Sequence, residues 1–274
     1  MIVTLSRENA KKINWLKYLF INKISTEAQN VPDNIQLLNI YFKTKNGKIN
    51  WKKVSKIFNN EKLELLCSRD VPIPNNINIK RFESNRYQSR LCINAALEIL
   101  KKACIDANKL RIFFIDKDGH YAGEIHKFIR YSNRIGVFTR NEDIYNKEQA
   151  SIFRSYGASI IFIAETLNKA KDYNFIICPE GIGTYLPIDK ASVCFAGAKS
   201  SSSIGTNIWY KYYIRVPSIY EKFKPREVPA EDFLEALFHE EEDRLSKLTP
   251  EKCESSQGKF LINDIVQKVK DLNH

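Results

Sequence analysis

The chain has 274 residues, 43% of them hydrophobic, and a formal net charge of +11. That length suits one large or two modest domains, and that apolar content suits a buried core rather than wholesale disorder. No stretch approaches the ~20 apolar residues of a membrane-spanning helix, and MIVTLSRENAKK lacks the basic-then-apolar order of a signal peptide, so a soluble, cytoplasmic protein without a membrane partner is expected.

The positive charge raises nucleic acid as a partner. Its basic residues, however, are spread thinly from Lys11 to Lys270, with no dense block interleaved with aromatics, which argues against one. Of the six cysteines, Cys67, Cys92, Cys104, Cys178 and Cys194 sit among apolar neighbours in expected helices or strands, and Cys253 stands in a polar segment. No CxxC pair occurs, so buried thiols acting as small hydrophobes are expected rather than a metal or disulfide framework.

In chain order, the first segment reads as a helix-like stretch (KKINWLKYLFINKI, 11–24), a strand (LLNIYF, 37–42), a turn, a helix (INWKKVSKIF, 49–58) and a strand (LELLC, 63–67). This suggests a small α/β domain over residues 1–80. The prolines and asparagines of DVPIPNNINI (70–79) exclude regular structure and mark a candidate linker. A helix is expected over 86–104, with Tyr87, Leu91, Ala95 and Ile99 on one face and Lys101 and Lys102 in its last turn, where the helix dipole favours cations.

From Leu110 to Gly183 short apolar runs alternate with amphipathic ones. LRIFFID (110–116), RIGVFT (134–139), ASIIFIAE (158–165) and FIICPEGIG (175–183) read as strands, and GHYAGEIHKFIRY, KEQASIFRSYG and TLNKAKDYN read as crossover helices. Fifth and sixth strands come next at 191–197 and 209–217 around a polar AKSSSSIGTN loop, then helices at 228–248 and 260–272. The prediction is a Rossmann-like α/β domain over residues 81–274, with a mostly parallel sheet and its ligand at the carboxyl ends of the strands.

A dinucleotide-binding turn should come after the first strand, where IDKDGHYAG stands. Against G-x-G-x-x-G/A, Lys117, Gly119 and Ala122 occupy the marked places, so the first glycine is missing and Asp118 brings negative charge toward the phosphates. After the second strand come Thr139, Arg140 and Asn141, where an NAD-preferring site has an acid. A guanidinium there suits a 2′-phosphate, which it pairs bidentately. Pro179 and Gly181, after the fourth strand, would lie at the nicotinamide end.

VFTRN and IICPEGIG, with the smaller N-terminal domain and the helix leading into the sheet, resemble the shikimate dehydrogenase-like group of Rossmann proteins over roughly residues 86–245. The resemblance implies NADP or NAD as cofactor and an oxidoreductase ancestry. Asp118, Gly119 and Ala122 would lie under the phosphates, with Thr139 and Arg140 at the adenosine end and Pro179 and Gly181 by the nicotinamide. The group's Asn-x-Thr-x-Pro-x-Lys motif is absent and its catalytic Lys/Asp pair has no counterpart, so no catalytic residue is assigned. The alternative is a non-catalytic Rossmann-like protein serving sensing or assembly. A small-molecule nucleotide is the expected partner, with room for a homo-oligomer.

FFIDKDGHY also resembles the first motif of haloacid dehalogenase-like phosphatases, with Asp116 as nucleophile, Asp118 as general acid and Mg²⁺ on the phosphate. Against that, Gly119 to Val137 leaves no room for the hairpin this family inserts, and after the fourth strand Glu180 is the one acid. His120 and His126 would point apart on a helix, and HEEED (239–243) reads as a solvated face, so no metal site is expected.

Overall fold

The computed structural model describes residues 2–7, 23–43, 49–59, 61–82, 87–163, 167–181, 186–189, 191–198, 207–238 and 245–271. The chain forms two compact units, one of residues 1–84 with 216–240, the other of residues 85–215 with 241–274.

The first unit is built on five strands: β1 (Ile2–Arg7), β2 (Lys23–Val31), β3 (Ile35–Lys43), β4 (Leu63–Cys67) and β5 (Ile79–Arg81), in the order β2-β3-β1-β4-β5. All pairings are parallel except β2 with β3. Helix α1 (Trp51–Ile57) contributes Val54 to a core of Val3, Leu5, Ile40, Phe42, Leu65 and Cys67. Thr4 and Asn39, paired in register on β1 and β3, share a buried hydrogen bond of 2.5 Å, which satisfies polar groups that burial would otherwise penalise. The segment 70–78 is irregular, as its prolines require, but Val71 packs into this core, which makes it a loop of the unit rather than a linker.

In the second unit α2 (Tyr87–Ala103) leads into β6 (Arg111–Ile115), β7 (Arg134–Phe138), helix α3 (Glu142–Tyr156), β8 (Ile161–Phe162), β9 (Phe175–Cys178), β10 (Val193–Ala196) and β11 (Ile208–Tyr213). These six strands are parallel and lie in the order β8-β7-β6-β9-β10-β11. Counted along the chain that is 3-2-1-4-5-6, the order of dinucleotide-binding sheets. The unit is Rossmann-like. Strands buried on both faces read as continuous apolar runs, which is why RIFFI and FIIC look as they do. Phe175, Phe195 and Trp209 pack ring against ring across β9, β10 and β11, with centroids 5.2 and 5.3 Å apart.

The second unit departs from expectation in several places. Strands β12 (Lys252–Ser255) and β13 (Gly258–Leu261) form a hairpin that extends the sheet antiparallel beyond β11 and buries Cys253 within its polar segment. And the crossover after β6 is not an α-helix. It runs as short 3-10 turns over Ala122–Lys127 and Ile129–Tyr131. Ala122, Ile125 and Phe128 are buried at a spacing of three, the period of a 3-10 turn.

Cys104 is exposed at the end of α2, contrary to the expected burial, on a left-handed backbone (φ 51°). Helix Ala230–Leu237 lies within the stretch read as helical over 228–248, and helix Ile262–Lys270 docks on α2. The acidic 239–243 segment, most of the AKSSSSIGTN loop and residues 11–22 of the stretch read as helix-like over 11–24 lie outside the described residues, and the last two residues of that stretch, Lys23 and Ile24, begin β2.

Glu124 pins the 3-10 crossover to α2, lying 2.8 Å from Arg90 Nη1 and 2.8 Å from Lys127 Nζ. Burial alone would raise its carboxyl, but hydrogen bonds and charge from Lys127 and Arg90 outweigh that and hold it below the ordinary 4.5. A carboxyl depressed on folding contributes stability above its unfolded value and loses it as pH falls through the folded one. Glu124→Gln should therefore cost about 1 kcal/mol at neutral pH and show a smaller further loss than the parent as pH falls below about 4, measured by urea unfolding.

Candidate functional site

Strands β7, β6 and β9 end side by side, and the order of connection reverses between β6 and β9. The crevice above that reversal is where open α/β sheets take their ligands. Three loops meet there: 116–121 after β6, 139–141 after β7 and 179–181 after β9.

Asp116 shapes the first loop. It is fully buried, and its Oδ1 accepts from the Gly119 N–H (3.1 Å) while Oδ2 accepts from the Tyr121 N–H (2.9 Å) and the Tyr145 hydroxyl (2.8 Å). Burial raises its carboxyl pKa, and these hydrogen bonds act in the opposite direction. Burial and the neighbouring Asp116 also push the Tyr145 hydroxyl up, so it stays a donor. Gly119 turns the loop at φ +79°, a region costly for a residue with a Cβ.

The loops are also tied to one another. Arg140 N–H donates to the Lys117 carbonyl (2.8 Å), and the Asp116 N–H donates to the Phe138 carbonyl (3.0 Å). Thr139 is buried and its Oγ1 accepts from the Asn141 N–H (3.0 Å). After β9, the Gly181 and Gly197 N–H groups both donate to the Cys178 carbonyl, each at 2.9 Å. A Cβ on Gly197 would sit 1.7 Å from the Pro179 carbonyl oxygen, so only glycine lets the ends of β9 and β10 approach this closely.

The sequence-derived residues are thus brought to one edge, but they do different things there. Asp118 and Arg140 present exposed side chains, whereas Ala122, Thr139 and Pro179 are buried and Gly119 and Gly181 shape turns. Sequence reasoning weighed His120 and Glu180 separately and missed that they meet. His120 Nδ1 lies 2.8 Å from Glu180 Oε1, and the ligand-type atoms of Asp118, His120 and Glu180 all fall within 4.8 Å of one another. No local pattern could pair them, since 60 residues separate His120 from Glu180.

The crevice is therefore split electrostatically. Its β7 side carries Arg140 and its β6–β9 side carries two carboxylates. Two like charges at such separations repel by about 1 kcal/mol in water and more near a protein surface. The turn amides that a pyrophosphate would use are already engaged, since Gly119 and Tyr121 donate to Asp116. An anion at this turn would therefore find the Gly119 and Tyr121 amides already taken by Asp116. Burial pushes the Cys92 thiol up to about 12 and the Cys178 and Cys194 thiols up as well, so these three stay protonated.

Asp116→Ala would leave two backbone N–H groups and a tyrosine hydroxyl without acceptors in a buried site. A loss of roughly 2–4 kcal/mol is expected in urea unfolding, with Tyr145→Phe costing about 1 kcal/mol.

No protein-family model matches this chain, and no curated protein matches it.

Proposed function

We propose that the second unit binds an NAD(P)-type nucleotide across the ends of β7, β6 and β9. One observation carries this reading: six parallel strands in the 3-2-1-4-5-6 order, with loops converging at the reversal between β6 and β9. Arg140, exposed at the end of β7, takes the place where a guanidinium would meet the 2′-phosphate of NADP. Oxidoreductase descent of the shikimate dehydrogenase-like kind is compatible with that arrangement. A second reading, a protein that binds a nucleotide for sensing or assembly without catalysis, is favoured by the 3-10 crossover, which leaves no α-helical N-terminus after β6 to face a pyrophosphate.

A phosphatase using Asp116 as nucleophile is disfavoured, because both carboxylate oxygens already accept internal hydrogen bonds. A cytoplasmic setting agrees with six free cysteines. Among the described residues no helix is long and apolar enough to cross a membrane.

Thermal unfolding with added nucleotide tests the reading. A ligand at a hundredfold excess over its dissociation constant stabilises the native state by about 2.7 kcal/mol. NADP⁺ should raise the midpoint more than NAD⁺, and Arg140→Ala should erase that difference by weakening NADP⁺ roughly tenfold or more. No shift with either nucleotide would refute the proposal.

A further inference from the structure

We infer that Asp118, His120 and Glu180 form a divalent-cation site, for Zn²⁺ or Mn²⁺, at the reversal point of the sheet. The cation would carry the phosphate contact that the crevice otherwise lacks. This second role rests on the nucleotide reading above; the cation site does not.

Among the described residues this is the one place where three such side chains converge. The donor set is an imidazole nitrogen and two carboxylate oxygens, the mixture that borderline divalent metals accept. His126 provides the contrast. Its Nε2 lies 2.6 Å from Glu148, yet among the described residues no third ligand joins that pair. At the crevice Asp118 adds the third donor.

The geometry needs little adjustment. A tetrahedral shell with bonds of about 2.0–2.2 Å sets ligand atoms roughly 3.3 Å apart. The ligand atoms lie within 4.8 Å of one another, and the His120–Glu180 contact at 2.8 Å must open slightly. The side chains belong to two loops anchored by backbone hydrogen bonds at Asp116 and at Cys178, so small side-chain rotations close the site. Three protein ligands on an open crevice leave coordination positions for an outside oxygen.

The trio also stands where this sheet type receives phosphate-bearing ligands. There the usual donors are absent: the Gly119 and Tyr121 amides are engaged by Asp116, and two carboxylates face the anion. A cation between the carboxylates reverses the local charge, and a phosphate oxygen can complete its shell.

The test is calorimetric titration of the full chain with MnCl₂ and, separately, ZnCl₂, without nucleotide. One saturable site is expected, weakened at least tenfold in His120→Ala and in Glu180→Gln and unchanged in His126→Gln. His120 has a side chain 69% exposed, so its removal should not disturb folding. No saturable binding, or binding indifferent to both substitutions, overturns the cation site. A repeat with NADP⁺ separates the two proposals. Nucleotide affinity that rises at least tenfold with the metal supports the bridging role, and nucleotide affinity indifferent to the metal overturns it. Metal binding with no nucleotide affinity upholds the cation site and overturns the nucleotide reading instead.

Discussion

The buried carboxylate of Asp116 is the constraint on which the crevice depends. It closes the loop after β6 by taking the Gly119 and Tyr121 amides, and it reaches α3 through the Tyr145 hydroxyl. A carboxylate without those donors would be strongly penalised in such a place, and the donors without the carboxylate would be orphaned. The same bonds that stabilise the turn remove its amides from ligand binding. A loop that looks like a phosphate-binding turn in sequence is thus an internally satisfied one in structure.

That internal closure redistributes the charge of the crevice. A dinucleotide site normally offers backbone donors at the pyrophosphate, whereas this crevice offers Asp118, His120 and Glu180. The chain's net charge of +11 does not soften this, because interactions between exposed charges are screened within about 10 Å at ordinary ionic strength. Arg140 on the β7 side and the two carboxylates of Asp118 and Glu180 on the β6–β9 side therefore act as separate local fields. An anion is favoured on one flank, and a cation, or an anion carried by one, on the other.

Much of this architecture was legible in the sequence. RIFFI, FIIC and VCFA stand out because strands buried on both faces need continuous apolar residues, and α2 stands out because its apolar residues recur every four. The 3-10 crossover was not legible, since Ala122, Ile125 and Phe128 at intervals of three are compatible with an α-helical stripe. The β12–β13 hairpin escaped because its short polar strands take their identity from pairing with β11. β1 and β2 were also missed, and β2 offers STEAQN, without alternation, as an edge strand. At the site, Arg140, Asp118 and the glycines could be placed from strand ends alone. Glu180 beside His120 could not, because that contact exists only once β6 and β9 are neighbours.

The proposed function sets a nucleotide across the ends of β7, β6 and β9. Backbone amide NMR of the isotopically labelled full chain, titrated with NADP⁺, addresses it most directly. Saturable shifts should concentrate in residues 116–121, 139–141 and 179–181, at the strand ends where those loops meet. Shifts centred elsewhere in the chain, or none at saturating nucleotide, would contradict it.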